Sequence, residues 1–248
     1  MLKIVIFILI SFLSENILYA QPSYVNGIDP AYPPFTQVDV DGQIKGFDID
    51  MINWIANNKG FKVSHQPVIW ETLISDLQND KIQLVASALS ITEERSKEIA
   101  FSNPYWLIKQ VILVRSDSNL SLEDVLKTGK KIGVQSDTSD IKNMEAFNGQ
   151  EGRHYVLVAY ESADIAALEV IAGSVDAVLI NDRRGVEIAK ELNLKYLGQA
   201  GIPDEQYAVG VNPKNGKLLT YINDGLDLIM KDPIWDELIK KHGLDYKF

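Results

Sequence analysis

Ser87–Tyr105, SALSITEERSKEIAFSNPY, follows a short apolar run (Ile82, Leu84, Val85) and changes character at once, to small and hydroxyl-bearing side chains. An apolar run ending in Ser87, Ala88, Ser90 and Thr92 reads as a buried strand leading into a crest loop. Thr92 then predicts a helix N-cap, with Glu93 and Glu94 in the first turn, where the helix dipole favours negative charge. Arg95, in that same turn, is on the wrong side of the dipole. It fits if its guanidinium, the exposed N–H groups and the nearby hydroxyls converge on one anion. Helix N-termini bind carboxylates and phosphates, and arginine clamps them with paired hydrogen bonds. The alternative is a surface arginine paired locally with Glu94 or Glu98.

On both sides of this stretch, strands and helices alternate, the pattern of an α/β fold with largely parallel sheets. Before it come a strand over Tyr24 to Ile28, the turn-rich Asp29 to Phe35 and a hairpin signal at Asp41-Gly42. A helix follows on Ile49, Ile52, Ile55 and Ala56, closed by Gly60. A strand at Lys62 to Gln66 leads to a helix using Leu73, Ile74 and Leu77. After it a second series begins, with strands at Val111 to Val114, Lys131 to Val134, Tyr155 to Ala159 and Asp176 to Ile180. Ser121 and Ser162 cap helices between them, and Gly173 ends the second. Tyr207 to Val211 returns as a strand, and two amphipathic helices finish the chain. No Gly/Ser linker separates the series, so the chain must cross directly, near Trp106 to Lys109 and again near Gly201 to Gln206. The predicted division is two lobes on two crossing strands: 21–107 with 206–248, and an inserted 108–205.

Composition narrows the function. The first twenty residues read as a secretory signal, with Lys3, the apolar Ile4 to Leu13 and Ala20 before the cut; an uncleaved anchor is the alternative. The apolar stretch is too short to span a bilayer. The chain has no cysteine, hence no disulfide and no acylated cysteine to anchor it, which suits a soluble periplasmic protein. A formal charge of −10 argues against nucleic acid and anionic membranes, and three scattered histidines give little from which to build a metal site.

Open α/β sheets bind ligands outside the carboxyl ends of their strands. That rule collects Asp29, Tyr32, Phe35, Trp70, Ser87, Ser90 and Arg95 from the first lobe, and Gln135, Thr138, Ser139, Asn181 and Asp182 from the second. Arg95 and Asp182 are complementary to the carboxylate and ammonium of an α-amino acid; Tyr32 and Trp70 offer faces for its side chain. Asp182 has an alternative use, pairing with Arg183 or Arg184 at the surface. Asp48 and Asp50 read as turn or cap residues of the following helix.

Five stretches carry a resemblance across nearly the whole chain beyond residue 20. They are Gly27-Ile28-Asp29 with Tyr32-Pro33-Pro34-Phe35; Gly46-Phe47-Asp48-Ile49-Asp50-Met51; Trp70-Glu71-Thr72-Leu73-Ile74; Ser90 to Arg95 with Phe101-Ser102-Asn103-Pro104-Tyr105; and Asp176 to Asp182. In this order they resemble the bacterial extracellular solute-binding proteins, family 3, of polar amino-acid ABC transporters. The resemblance implies a two-lobed type II periplasmic-binding-protein fold, a monomer that takes an amino acid to a membrane permease, and no cofactor. It also implies Arg95 on the ligand carboxylate, with backbone N–H near Ala88 and Ser90 and with Ser139. Asp182, with Ser87 or Ser90, would take the ammonium. Tyr32 and Trp70 would line the side-chain pocket, tuned by Asn181, Gln135 and Asp29 toward a polar or cationic amino acid. Two positions depart from the family: Asp137, where glycine is usual before the threonine Thr138, and Gln83 for aspartate. A dehydratase acting on an arogenate-like substrate is the catalytic alternative on this scaffold, with Asp29 or Asp137 as acid.

Overall fold

The computed structural model describes residues 21–245; the signal reading of the first twenty residues lies outside them. Two five-stranded sheets organise the chain. The first has the order Lys62–Pro67, Ser23–Ile28, Leu84–Val85, Gly210–Val211, Ala100–Phe101. The second runs Tyr155–Tyr160, Lys130–Gln135, Ala177–Asn181, Gln110–Arg115, Leu194–Gln199. Both sheets are largely parallel, as the alternation predicts, with one reversed strand in each. Gly210–Val211 runs antiparallel to both neighbours, and Gln110–Arg115 is antiparallel to the strands on each side. These reversed strands stand where the chain has crossed from one lobe to the other and enters the sheet from the opposite end.

The crossings themselves pair. Trp106–Ile108 and Glu205–Tyr207 form a two-stranded antiparallel ladder between the sheets, with Tyr207 opposite Trp106 and Glu205 opposite Ile108. The apolar stretch expected as one strand from Tyr207 to Val211 is thus two pieces, a crossing strand and a sheet strand.

Each sheet is packed on both faces, as α/β layers require. The first lies between a large cluster built on Phe35, Phe47, Met51, Ile52, Ile55, Ile222 and Tyr207 and a smaller one of Leu73, Leu77, Ile82, Val85, Leu89 and Ile99. The second lies between Ile112, Val134, Met144 and Leu179 on one side and Val111, Ala166, Val170 and Ile180 on the other. The helix Phe47–Lys59 shows how sequence sets this packing. It buries Phe47, Ile49, Met51, Ile52, Ile55 and Ala56 along one stripe and ends on Gly60 in the left-handed conformation. Each large side chain so buried contributes roughly 1.5–3 kcal/mol. Gly46 precedes it because a Cβ there would stand 2.1 Å from the Phe35 carbonyl oxygen. Thr92, Ser121 and Ser162 cap their helices as the sequence predicts, each accepting from the N–H three residues on.

Candidate functional site

The loop after the strand Leu84–Val85 is fixed from behind by buried polar groups of its own lobe. Asn26 accepts from the Ala86 N–H at 2.8 Å and donates to the Ala86 carbonyl at 3.3 Å. The Ser87 hydroxyl accepts from the Asp29 N–H at 2.9 Å and meets the Thr36 hydroxyl at 2.9 Å. Asp48 has a role that a turn or cap reading does not anticipate. Its carboxyl reaches into the loop, accepting from the Ala88 N–H at 2.7 Å and the Tyr105 hydroxyl at 2.8 Å. Burial pushes that carboxyl up to about 7, against the lowering effect of both hydrogen bonds. Ala88 is held at φ 49, in the left-handed region, so Asp48 secures a backbone conformation that alanine disfavours.

Arg95 follows in the helix Glu93–Glu98, its own N–H bonded to the Thr92 cap at 3.1 Å. Both side-chain hydrogen bonds end on backbone carbonyls, Ser90 at 3.1 Å and Asp137 at 3.2 Å. Its guanidinium lies 5.5 Å from the Trp70 ring centre, in range for a cation–π contact. Among the described residues Arg95 forms no salt bridge; Glu94 pairs with Lys142, and Glu98 accepts from the Gln78 amide. Burial draws its proton affinity down, and the charges of Glu205, Asp140 and Glu94 draw it back.

Facing this wall, the loop Gln135–Thr138 leads into the helix Ser139–Phe147. Asp137 adopts φ 53, the conformation that explains why glycine suits the position, and its side chain is exposed rather than aimed at Arg95. Its carbonyl is the inward group, accepting from Arg95 and from the Trp70 indole N–H at 3.3 Å.

Asp29, Tyr32, Trp70, Ala88, Ser90, Arg95, Gln135, Thr138 and Ser139, all singled out in the sequence, line one cavity between the walls. Gln110, Asp140 and Tyr207 complete it. Asp29 keeps two partners, the Ala31 N–H at 2.9 Å and the Gln135 amide at 3.3 Å, the second from across the cleft. Burial raises its carboxyl above the ordinary aspartate range. Trp70 and Arg95 also border a second hollow that opens outward past Glu71, Glu94 and Lys142.

Four expected residues are placed elsewhere, and the first, Phe35, is wholly buried in the core of its lobe. Ser87 lies beneath the wall, its hydroxyl already shared between Asp29 and Thr36. Asn181 caps the helix Asp182–Glu191 and donates its amide to the Tyr32 hydroxyl, so it supports the pocket from outside. Asp182 is not on the cavity wall; its N–H bonds the Lys109 carbonyl and its carboxylate lies 3.9 Å from Arg183. Arg184 is buried and paired with Asp164 and Glu187 instead. The acidic groups on the cavity are therefore Asp29 and Asp140, with Glu205 behind. Glu205 also takes two hydroxyls expected for the ligand, Ser90 at 2.5 Å and Ser139 at 2.7 Å. Gln110, Tyr207 and Glu205 share one signal in the sequence: each sits at or beside a crossing, where the chain passes the mouth of both sheets.

Comparison with known proteins gives a consistent picture. The sequence matches the model of the family described as bacterial extracellular solute-binding proteins, family 3, over residues 24–245. A probable histidine-binding protein of Neisseria gonorrhoeae is 27% identical over 216 residues, covering 85% of this chain and 79% of that protein. A solved ancestral arginine-binding protein bound to arginine superposes with a TM-score of 0.80 at 32% identity, covering 90% of this chain and 98% of the other. The ancestral amino acid-binding protein AncCDT-1, a precursor of cyclohexadienyl dehydratase, gives 0.79 at 30% identity, with 89% and 94% covered.

Proposed function

Because the chain belongs to family 3 of the bacterial extracellular solute-binding proteins, we propose that it is a periplasmic receptor that closes on an α-amino acid and hands it to an ABC permease. Arg95 carries this reading. A largely buried guanidinium, bonded only to carbonyl oxygens and facing a cavity, is a site for an anion of carboxylate size. Ser90 and Ser139 would add N–H groups to the same carboxylate. Asp29, beside Tyr32 and Trp70, supplies negative charge and aromatic faces for a cationic or polar side chain. Residues 21–107 with 206–248 and residues 108–205 would act as the two lobes of a monomer after removal of the signal. No helix among the described residues is long and apolar enough to cross a membrane, as this reading requires.

A thermal-shift screen of the twenty amino acids, followed by calorimetry, tests the proposal. We expect arginine, lysine or a polar amino acid to stabilise the protein, and Arg95→Ala to abolish the response. Unchanged affinity in that variant would overturn the role of Arg95. A catalytic role predicts instead turnover of an arogenate-like substrate by the purified protein.

A further inference from the structure

Two carboxyl groups meet at the hinge end of the cleft. Glu205, on the crossing strand, accepts the hydroxyls of Ser90 and Ser139 on one oxygen and the Asn143 amide, at 2.8 Å, on the other. Ser90 belongs to the first wall and Ser139 and Asn143 to the second, so a single carboxylate is bonded to both. Asp140, next to Ser139 in the first turn of the same helix, faces Glu205 and the Gln110 amide. Its Oδ1 is shut from solvent and has no hydrogen-bond partner.

The surroundings of Asp140 pull in two directions. Arg95 and the N-terminus of the helix Ser139–Phe147 favour the carboxylate. Burial and the Glu205 charge oppose it, and Tyr207 and Tyr32 face it from the crossing strand and the Asp29–Phe35 turn without offering positive charge. Burial and repulsion prevail, and its proton affinity rises well above that of an ordinary aspartate. The orphaned Oδ1 fits a carboxylic acid short of one donor partner better than a second buried anion.

We propose that Asp140 takes up one proton from solvent as the walls shut and offers it to Glu205, so that closure of the cleft is proton-linked. This rests on the proposed ligand-driven closure. Parting the walls would carry Asp140, Ser139 and Asn143 away from Glu205 and return Asp140 to water, where the proton leaves. One proton binds, no covalent bond between heavy atoms changes, and the closed form holds one negative charge fewer. The closed form is accordingly favoured at acid pH and loses its advantage as pH rises through the closed-state value of Asp140.

The absence of cysteine allows clean placement of two spin labels, at Asn57→Cys and Val156→Cys, both exposed and on different lobes. Pulsed distance measurement on the ligand-free protein from pH 5 to 9 should show the short-distance population falling as pH rises, by at most about tenfold per unit for one proton. Asp140→Asn and Glu205→Gln should each remove that dependence. A distance distribution that does not change with pH, or a dependence that survives in Asp140→Asn, overturns the proposal. Calorimetric titration of the unlabelled protein with L-arginine and the other amino acids judges the ligand reading separately, so either can fail while the other stands.

Discussion

The two walls of the cleft are secured in opposite ways. The Arg95 wall is bonded to its own lobe: Asn26, Asp48, Thr36 and Tyr105 hold Ala86 to Ala88 from beneath. The Asp137 wall finds its partners across the gap. The Asp137 carbonyl takes Trp70 and Arg95, Ser136 bonds Glu71 at 2.9 Å, and Lys142 pairs with Glu94. One wall is held by its own lobe, and the other takes many of its partners from the wall it faces. The proposed closure would use this asymmetry, since only contacts made on closing can drive closing.

If the first wall is the half held by its own lobe, removing its cation should do the most damage. Arg95→Ala should weaken amino-acid binding by at least about 100-fold, as expected for truncating one partner of a buried, hydrogen-bonded charge pair. Calorimetry reads it directly. A loss of similar size from Lys142→Ala would reverse the ranking of the walls.

Asp48 tests the support beneath that wall. Its carboxyl is raised to about 7, above its ordinary value, so its stabilising share is present at acid pH and lost as pH rises through neutrality. Asp48→Asn keeps an oxygen for Ala88 and Tyr105 without the charge. Its melting temperature relative to the parent should climb between pH 5 and 8, by about 5 °C for about 2 kcal/mol. His65, held down to about 4 by burial, titrates equally in both proteins and cancels in the difference. A flat difference would show that Asp48 is ionised throughout.

Asp29 sharpens the ligand side. Asp29→Asn should lower affinity for arginine or lysine about tenfold, roughly 1.4 kcal/mol, while a neutral amino acid loses less. Equal losses would remove Asp29 from specificity. The smallest effect belongs to the second wall. Asp137→Gly relieves the left-handed backbone but frees the unfolded chain, leaving a net change within about 1 kcal/mol in stability. Chemical denaturation measures it, and a large loss would show that the Asp137 side chain holds the loop.

Helix ends were legible because they are local chemistry. Thr92, Ser121 and Ser162 start helices, and Gly60 and Gly173 end them, with the bonds and left-handed turns their types suggest. The one reversed strand in each sheet was not, since pairing joins segments far apart in the chain. The strand Leu194–Gln199 escaped notice altogether, its alternation broken by Gly198 and a shift of register beside Tyr196. The same division holds for the site. Residues at strand ends were found by the crevice rule, and eight of them converge on the cavity, with Ala88 added by the resemblance. Asp182 misled because Asn181 turns the chain into a helix, and the next side chain then leaves the direction of the strand. Glu205 had only its place at a crossing to mark it and Asp140 nothing local: their importance comes from a meeting between segments more than sixty residues apart.

The crossing strand Glu205–Tyr207 alternates in burial, with Glu205 and Tyr207 inward and Gln206 outward. Its inner side borders the pocket, and on the proposed closure the strand as a whole would be the axle between the halves. Tyr207 is wedged edge-on against Phe35 at 5.2 Å, and its carbonyl holds the Tyr105 N–H at 2.9 Å, while Glu205 bonds Ser139 and Asn143 of the other half. Taste and swing would therefore share one short strand. A change at Glu205 or Tyr207 alters both together, whereas Gln206 can adjust the swing and leave the taste alone.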